Sequence, residues 1–234
     1  MAVLLAVFAH PDDEFSVAML LAAYAKRGHD VYLASITSGQ LGSTPNMSVP
    51  KGPELARVRE EELRCAAKCL GIHEPIAMGF MDQGISSRDA AVEVAAALRE
   101  LFARINPDAI ITFGPDGISG HPDHRAASNL VTEVCAAEAR KLYYVTVPAS
   151  CASPPPPPFR RLRTTADALI TTVVDCRGGL DEAAAAARCH RSQWSAERAA
   201  QFDSLNRDVL KGRIYLRLAF PSAHHPMEED LFQD

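Results

Sequence analysis

Short apolar runs alternate with amphipathic helical patterns from the first residues of this chain, and no other feature limits its fold so strongly. Val3-Leu4-Leu5-Ala6-Val7-Phe8 reads as a buried strand. Val31 to Thr37, Pro75 to Phe80, Ala109 to Phe113, Leu142 to Val147 and Leu169 to Val174 read as five more. Between them, Val17, Leu20, Leu21 and Tyr24 share one helical face. Glu54 to Leu70 forms a second helix closed by Gly71. Val94, Leu98, Leu101, Phe102 and Ile105 mark a third, ended by Asn106-Pro107, and Pro122 to Arg140 supplies a fourth. An Ala-rich helix from Asp181 to Arg191 and another from Ser195 to Leu210 follow Cys176-Arg177-Gly178-Gly179.

Near-continuous apolar strands have no polar face to leave in water, so helices must cover both sides of their sheet. The expected fold is α/β, a Rossmann-like doubly wound, mostly parallel sheet with helices on both faces. At 234 residues the chain is expected to form a single domain over 1–234. Its five consecutive prolines, Pro154 to Pro158, cannot be helix or central strand, so 152–158 reads as a stiff surface loop. The tail at 221–234, with His224 and His225, reads as irregular. A net charge of −5 with no basic stripe argues against a nucleic-acid partner. No stretch is long and apolar enough for a membrane span, and the N-terminus lacks the basic start of a signal peptide. Without a secretion signal, the six dispersed cysteines read as reduced thiols and the compartment as cytoplasmic. Cys65 and Cys69 have a spacing that suits a metal, but the sequence shows no Cys or His pair near them, and a metal there is not expected.

Two strand-to-helix junctions carry the same tripeptide. Ala9-His10-Pro11-Asp12-Asp13-Glu14 follows the first run, and His121-Pro122-Asp123-His124 comes after the run ending at Phe113. Three adjacent carboxylates are costly to hold together unless a cation or solvent compensates them. Proline favours the first helical position, which places His10 and His121 at N-caps. Asp12 and Asp13, like Asp123 and His124, then fall at the second and third helical positions, where the helix dipole keeps carboxylates ionised. In doubly wound folds ligands bind outside the carboxyl ends of the strands, so the two helix starts collect His10, Asp13, His121 and His124 around one point. One such tripeptide reads most simply as a capped helix start; two at corresponding junctions do not. Two imidazoles and a carboxylate are the usual protein share of a catalytic zinc site, one ion per chain, with a position left for water. The same set suits non-haem iron, although no co-substrate anchor is evident. No Gly-x-Gly-x-x-Gly follows the first strand, which disfavours a dinucleotide.

These motifs resemble those of the LmbE-like, or PIG-L-type, zinc-dependent N-acetylglucosaminyl deacetylases. Thr37-Ser38-Gly39-Gln40-Leu41-Gly42, Arg59 to Leu63, Gly79-Phe80-Met81-Asp82 and His190-Arg191-Ser192-Gln193 fit the same pattern in the same order. The resemblance implies a hydrolase that removes the N-acetyl group from an N-acetylglucosamine derivative, an amino-sugar conjugate or chitooligosaccharide, through metal-activated water. It implies His10, Asp13 and His124 as zinc ligands and Asp12 as the base that takes a proton from the zinc-bound water. His121 would stabilise the oxyanion or protonate the amine, and Asp123 would orient a neighbouring histidine. Arg59 and Asp82 match positions that contact the sugar. The partner implied is an N-acetylated amino-sugar substrate, and homo-oligomers are common in the family. Ala18-Met19 replaces a frequent Gly-Gly pair, and Ser119 stands where some members carry a tyrosine. Glu14 has no assigned task, and Trp194 reads as a core anchor. A metal- or sugar-binding module that has lost catalysis would be expected to lack the base, yet Asp12 and His121 are both present.

Overall fold

A computed structural model describes residues 1–151, 162–221 and 227–232. The polyproline loop and the His224-His225 pair lie outside the described residues. One seven-stranded sheet has the order β3-β2-β1-β4-β5-β7-β6. Its strands are β1 (Val3–Phe8), β2 (Asp30–Thr37), β3 (Ile76–Phe80), β4 (Ala109–Phe113), β5 (Leu142–Thr146), β6 (Thr172–Asp175) and β7 (Arg213–Phe220). The pairs β1–β2, β1–β4, β2–β3 and β4–β5 are parallel, whereas β7 runs antiparallel to both β5 and β6.

The strand register explains the two helical layers. Alternate residues of a strand face opposite sides. Leu4, Ala6 and Phe8 therefore meet one layer, made by α1 (Ala18–Lys26), α2 (Pro53–Leu70) and α6 (Leu180–Ala187). Leu5 and Val7 meet the other, made by α3 (Arg88–Ile105) and α5 (Pro122–Ala137). Gly71 ends α2 in the left-handed conformation, and Asn106 does the same for α3. A short α4 (Gly117–Gly120) precedes α5, and α7 (Ala196–Ser204) continues into a π turn at Leu205–Val209.

Strand β7 is absent from the sequence reading, which left the segment after Leu210 unassigned. Its pattern is the amphipathic one: Ile214, Leu216 and Leu218 are buried, while Arg213 is exposed and Tyr215 and Arg217 are half-buried. It enters between β5 and β6, so the last two expected strands are not direct neighbours. The thiol reading also needs correction. Cys65 and Cys189 are joined as a disulfide, because α6 packs beside α2 and carries Cys189 to it across a separation of 124 residues. Among the described residues, no helix is long and apolar enough to cross a membrane.

From β1 the chain proceeds outward through β2 to β3, and from β4 it proceeds the other way to β5. The order thus reverses between β1 and β4, where a crevice opens at the carboxyl ends of the strands. Both His-Pro-Asp segments leave the sheet there. The first helical layer is held close by the turn at Arg177–Gly179, where a Cβ built on Gly179 would lie 2.1 Å from the Met19 carbonyl oxygen. Gly179→Ala is expected to lower the urea midpoint by an amount equivalent to about 1–3 kcal/mol at unchanged m-value. An unaltered midpoint would show that this approach does not constrain the layer.

Candidate active site

The two junctions are not built alike. At the second, the sequence reading is accurate: His121 is the N-cap of α5, its Nδ1 accepts from the Asp123 amide at 3.2 Å, and Pro122 opens the helix. At the first, Asp12 has φ 96° and ψ −16°, the left-handed region that costs a non-glycine residue about 1–3 kcal/mol. A single 3-10 turn, Asp13–Ser16, follows, and α1 begins only at Ala18. His10 is therefore not the N-cap of α1, and Asp12 and Asp13 are not its second and third residues. The reversal at Asp12 turns its carboxylate away from that of Asp13.

Asp13 lies between two imidazoles. Its Oδ1 is 3.1 Å from His124 Nε2, its Oδ2 is 3.4 Å from His10 Nδ1, and Oδ2 also accepts from the His10 amide at 2.8 Å. The outward nitrogens of both rings have their own acceptors. His10 Nε2 faces Asp82 at 3.1 Å and Asp123 at 3.3 Å, and His124 Nδ1 faces the Gly117 carbonyl at 3.1 Å. Acceptors on the outer nitrogens leave His10 Nδ1 and His124 Nε2 facing Asp13, and loss of their inner protons would turn both lone pairs inward, the arrangement typical of metal-ligating histidines. This donor set fits a divalent metal such as zinc. Ring nitrogens of His10, His121 and His124 also converge, within 4.8 Å of one another. His121, however, is exposed and spends its Nδ1 on the helix cap.

The electrostatics match a place for positive charge. Burial opposes ionisation of His10, but hydrogen bonds with Asp123, Asp13 and Asp82 raise its pKa well above the ordinary value. His124 is raised too, by Asp13 against burial. Burial would raise the Asp13 pKa, yet the charges and hydrogen bonds of His124 and His10 hold it far below the usual range. Asp82, against burial, is lowered to about 2 by its bond with His10. For His121, exposed at its edge but partly desolvated in the crevice, that desolvation followed by repulsion from His10 and His124 lowers the pKa.

Asp12 is held from three directions. Arg59 Nη2 and Trp194 Nε1 donate to its two carboxylate oxygens, each at 3.0 Å, and Glu14 Oε2 accepts from its amide at 3.0 Å. Arg59 also donates to the Pro11 carbonyl and, at 3.0 Å, to that of Gly39. Its guanidinium fits a glycine-lined slot: a Cβ on Gly39, where φ is +61°, would fall 2.0 Å from Nη1. Glu14 in turn pairs with His190 at 2.6 Å, and neither side chain has measurable exposure. The sequence reading left Glu14 unassigned and gave Trp194 only a packing role; their partners lie up to 182 positions away.

Arg59 and Asp82, matched in sequence to sugar-contacting positions, border the cleft but are spent mainly on protein groups. Asp82 is 3% exposed and binds His10 through Oδ1 and the Leu41 amide through Oδ2. Ser119 Oγ lies 3.2 Å from His124 Nδ1, so it braces that ring. The cleft above these residues has a volume of about 500 Å³. Phe15, Trp194, Phe202, Leu205, Leu210 and Tyr215 supply the apolar part of its lining, beside Arg198, Asn206 and Arg213. Its floor is Phe113, on which His124 stacks at 4.4 Å between ring centres.

Similarity to known proteins extends over most of the chain. The family model described as PIG-L: GlcNAc-PI de-N-acetylase matches residues 5–135. A relative from Acidothermus cellulolyticus, named 1D-myo-inositol 2-acetamido-2-deoxy-alpha-D-glucopyranoside deacetylase, is 30% identical over 276 residues, spanning 98% of this chain and 94% of its own. Among solved structures, 4-carboxy-2-hydroxymuconate hydratase from Pseudomonas putida KT2440 superposes with a TM-score of 0.73 at 18% identity, covering 96% of this chain and 99% of its own. N,N'-diacetylchitobiose deacetylase from Pyrococcus horikoshii gives 0.66 at 19% identity, covering 93% and 83%. At these identities the two structures share the fold with this chain.

Metal uptake should carry the signature of the raised imidazoles. His10 and His124 keep protons above the ordinary histidine pKa, and a metal must displace them, so protons compete below the raised values and cease to compete above them. Apparent zinc affinity of the metal-free protein is expected to go on rising with pH above the ordinary histidine value of about 6.5. Competition titration with a chromophoric chelator measures this. A profile already flat from pH 7 would contradict the proton-loaded site.

Proposed function

The chain belongs to the PIG-L family, and on that premise we propose that it is a metal-dependent amidohydrolase that removes the N-acetyl group from an N-acetylglucosamine conjugate. One observation carries the reading. Asp12 and Asp13 are sequence neighbours, but the left-handed turn gives them different surroundings: the Asp13 side chain is 8% exposed between two imidazoles, and that of Asp12 is 20% exposed to the cleft. His10, Asp13 and His124 would hold a zinc ion, which when bound would polarise an amide carbonyl and lower the pKa of a water to about 7.

The protein groups supply the rest. Asp12 acts as the general base: its oxygens each accept one fixed hydrogen bond and retain further lone pairs for a water proton. The same carboxyl then returns that proton toward the departing amine. His121, with Nδ1 committed to the helix cap, keeps its proton on Nε2 and offers a neutral N–H to the developing oxyanion. A neutral ring is in line with its lowered pKa. Asp82 and Asp123 orient His10, and Arg59 orients Asp12, so sugar recognition falls to other groups on the rim, among them Gln83, Gln193 and Arg198. The aromatic and leucine side chains of the lining favour a conjugate whose aglycone is apolar over one carrying a polyol.

These assignments meet in one assay of acetate release from N-acetylglucosaminides bearing an aryl group or inositol. Burying one aromatic ring contributes roughly 1.5–3 kcal/mol, so the aryl substrate should lead in kcat/KM by at least about tenfold. Asp12→Asn should keep its metal and lose about 10²- to 10⁴-fold in kcat. Equal turnover by Asp12→Asn would exclude it as the base, and preference for the inositol conjugate would reverse the aglycone assignment.

A further inference from the structure

Three sulfur atoms converge on the side of the first helical layer. Cys65 and Cys69 stand one turn apart on α2, and Cys189 reaches both from the end of α6. Cys189 is bonded to Cys65, and the Cys69 thiol lies 3.8 Å from the Cys189 sulfur. All three sulfurs lie within 4.8 Å of one another. Cys65 is exposed, Cys69 half-buried and Cys189 buried, so one inner sulfur has two competing partners at the surface.

The residues just beyond Cys189 give this cluster its reach. His190 pairs with Glu14, the Ser192 amide and hydroxyl both donate to Glu62 of α2 at 2.7 Å, and Trp194 donates to Asp12. Six consecutive residues, 189–194, thus join α2 to the turn that presents Asp12. We propose that Cys65, Cys69 and Cys189 form a thiol–disulfide exchange site that fastens this segment, and with it the hold on Asp12, to α2.

The exchange is balanced within the protein. The Cys69 thiolate attacks the Cys189 sulfur, and the Cys69–Cys189 bond forms as the Cys65–Cys189 bond breaks. The electron pair of the broken bond leaves on the Cys65 sulfur, which takes up a proton in place of the one Cys69 lost. No electron enters or leaves. Release of the segment requires a dithiol reductant, which gives two electrons and two protons to make two protein thiols and itself becomes a disulfide. The consequence for Asp12 rests on the proposed function; the exchange does not.

Trypsin separates the partners, because Arg64, Lys68, Arg88, Arg188 and Arg191 bound peptides 65–68, 69–88 and 189–191. The full-length chain and its Cys65→Ser and Cys69→Ser variants, purified without reductant and alkylated in acid, are mapped by mass spectrometry. The wild type should show 189–191 linked to 65–68 with a smaller share linked to 69–88. Cys65→Ser should show only the link to 69–88, and Cys69→Ser only the link to 65–68. Absence of any Cys69–Cys189 link in both the wild type and Cys65→Ser would overturn the proposal. So would an equivalent of zinc that the reduced wild type retains and Cys69→Ser loses, which would mark a thiolate metal site instead. Trp194 is the sole tryptophan and reports on the segment. Full reduction should red-shift its emission in the wild type, while adding the reductant to Cys189→Ser should change nothing. An unshifted wild type would overturn the coupling to the segment. Neither readout uses turnover, so an inactive preparation would count against the deacetylase reading and leave the exchange standing.

Discussion

Asp13 between His10 and His124 is the interaction on which the crevice depends. A buried carboxylate is stable only if charge or strong donors compensate it, and here the compensation comes from two different junctions of the sheet. His10 leaves β1 and His124 enters α5 after β4, so one carboxylate bridges the point where the strand order reverses. The outer acceptors of the two imidazoles, Asp82, Asp123 and the Gly117 carbonyl, extend the same network into the β3–α3 and β4–α5 loops. Such a network favours positive charge at its centre, whether carried by protons or by a metal.

The strain at Asp12 is the second consequence. The left-handed turn accompanies a division of partners, Asp12 meeting Arg59 and Trp194 while Asp13 meets His10 and His124. The turn persists because Arg59, Trp194 and Glu14 fix it, and each is fixed in turn by Gly39, by the 189–194 segment and by His190. Strain maintained by the surrounding structure is common at functional sites. The same fold also occurs in a hydratase, so the fold leaves open which bond a positioned water would attack. The family match and the donor set support an amide.

Much of this was legible from local patterns. Strand and helix periodicity, Gly71 as a helix stop and the cap at His121 depend on neighbours a few residues away, and the sequence displays such neighbours directly. Conformations imposed from a distance were hidden. Nothing around Asp12 announces a left-handed residue, since its constraints arrive from Arg59, 47 positions on, and from Trp194, 182 positions on. Cys189 meets Cys65 only because α6 packs on α2. Strand β7 differs: its alternation at Ile214, Leu216 and Leu218 is present in the sequence, but an antiparallel insertion departs from the βα rhythm of the preceding chain.

If the two His-Pro-Asp junctions make one metal centre through Asp13, a bound ion must lie between His10 and His124. Anomalous X-ray scattering at the zinc absorption edge, from crystals of the zinc-loaded protein, tests it most directly. A single peak is expected, bounded by His10 Nδ1, an Asp13 oxygen and His124 Nε2 at about 2.0–2.2 Å from each. A peak ligated by His121 in place of Asp13, a peak confined to the three cysteines, or none at the crevice would contradict it.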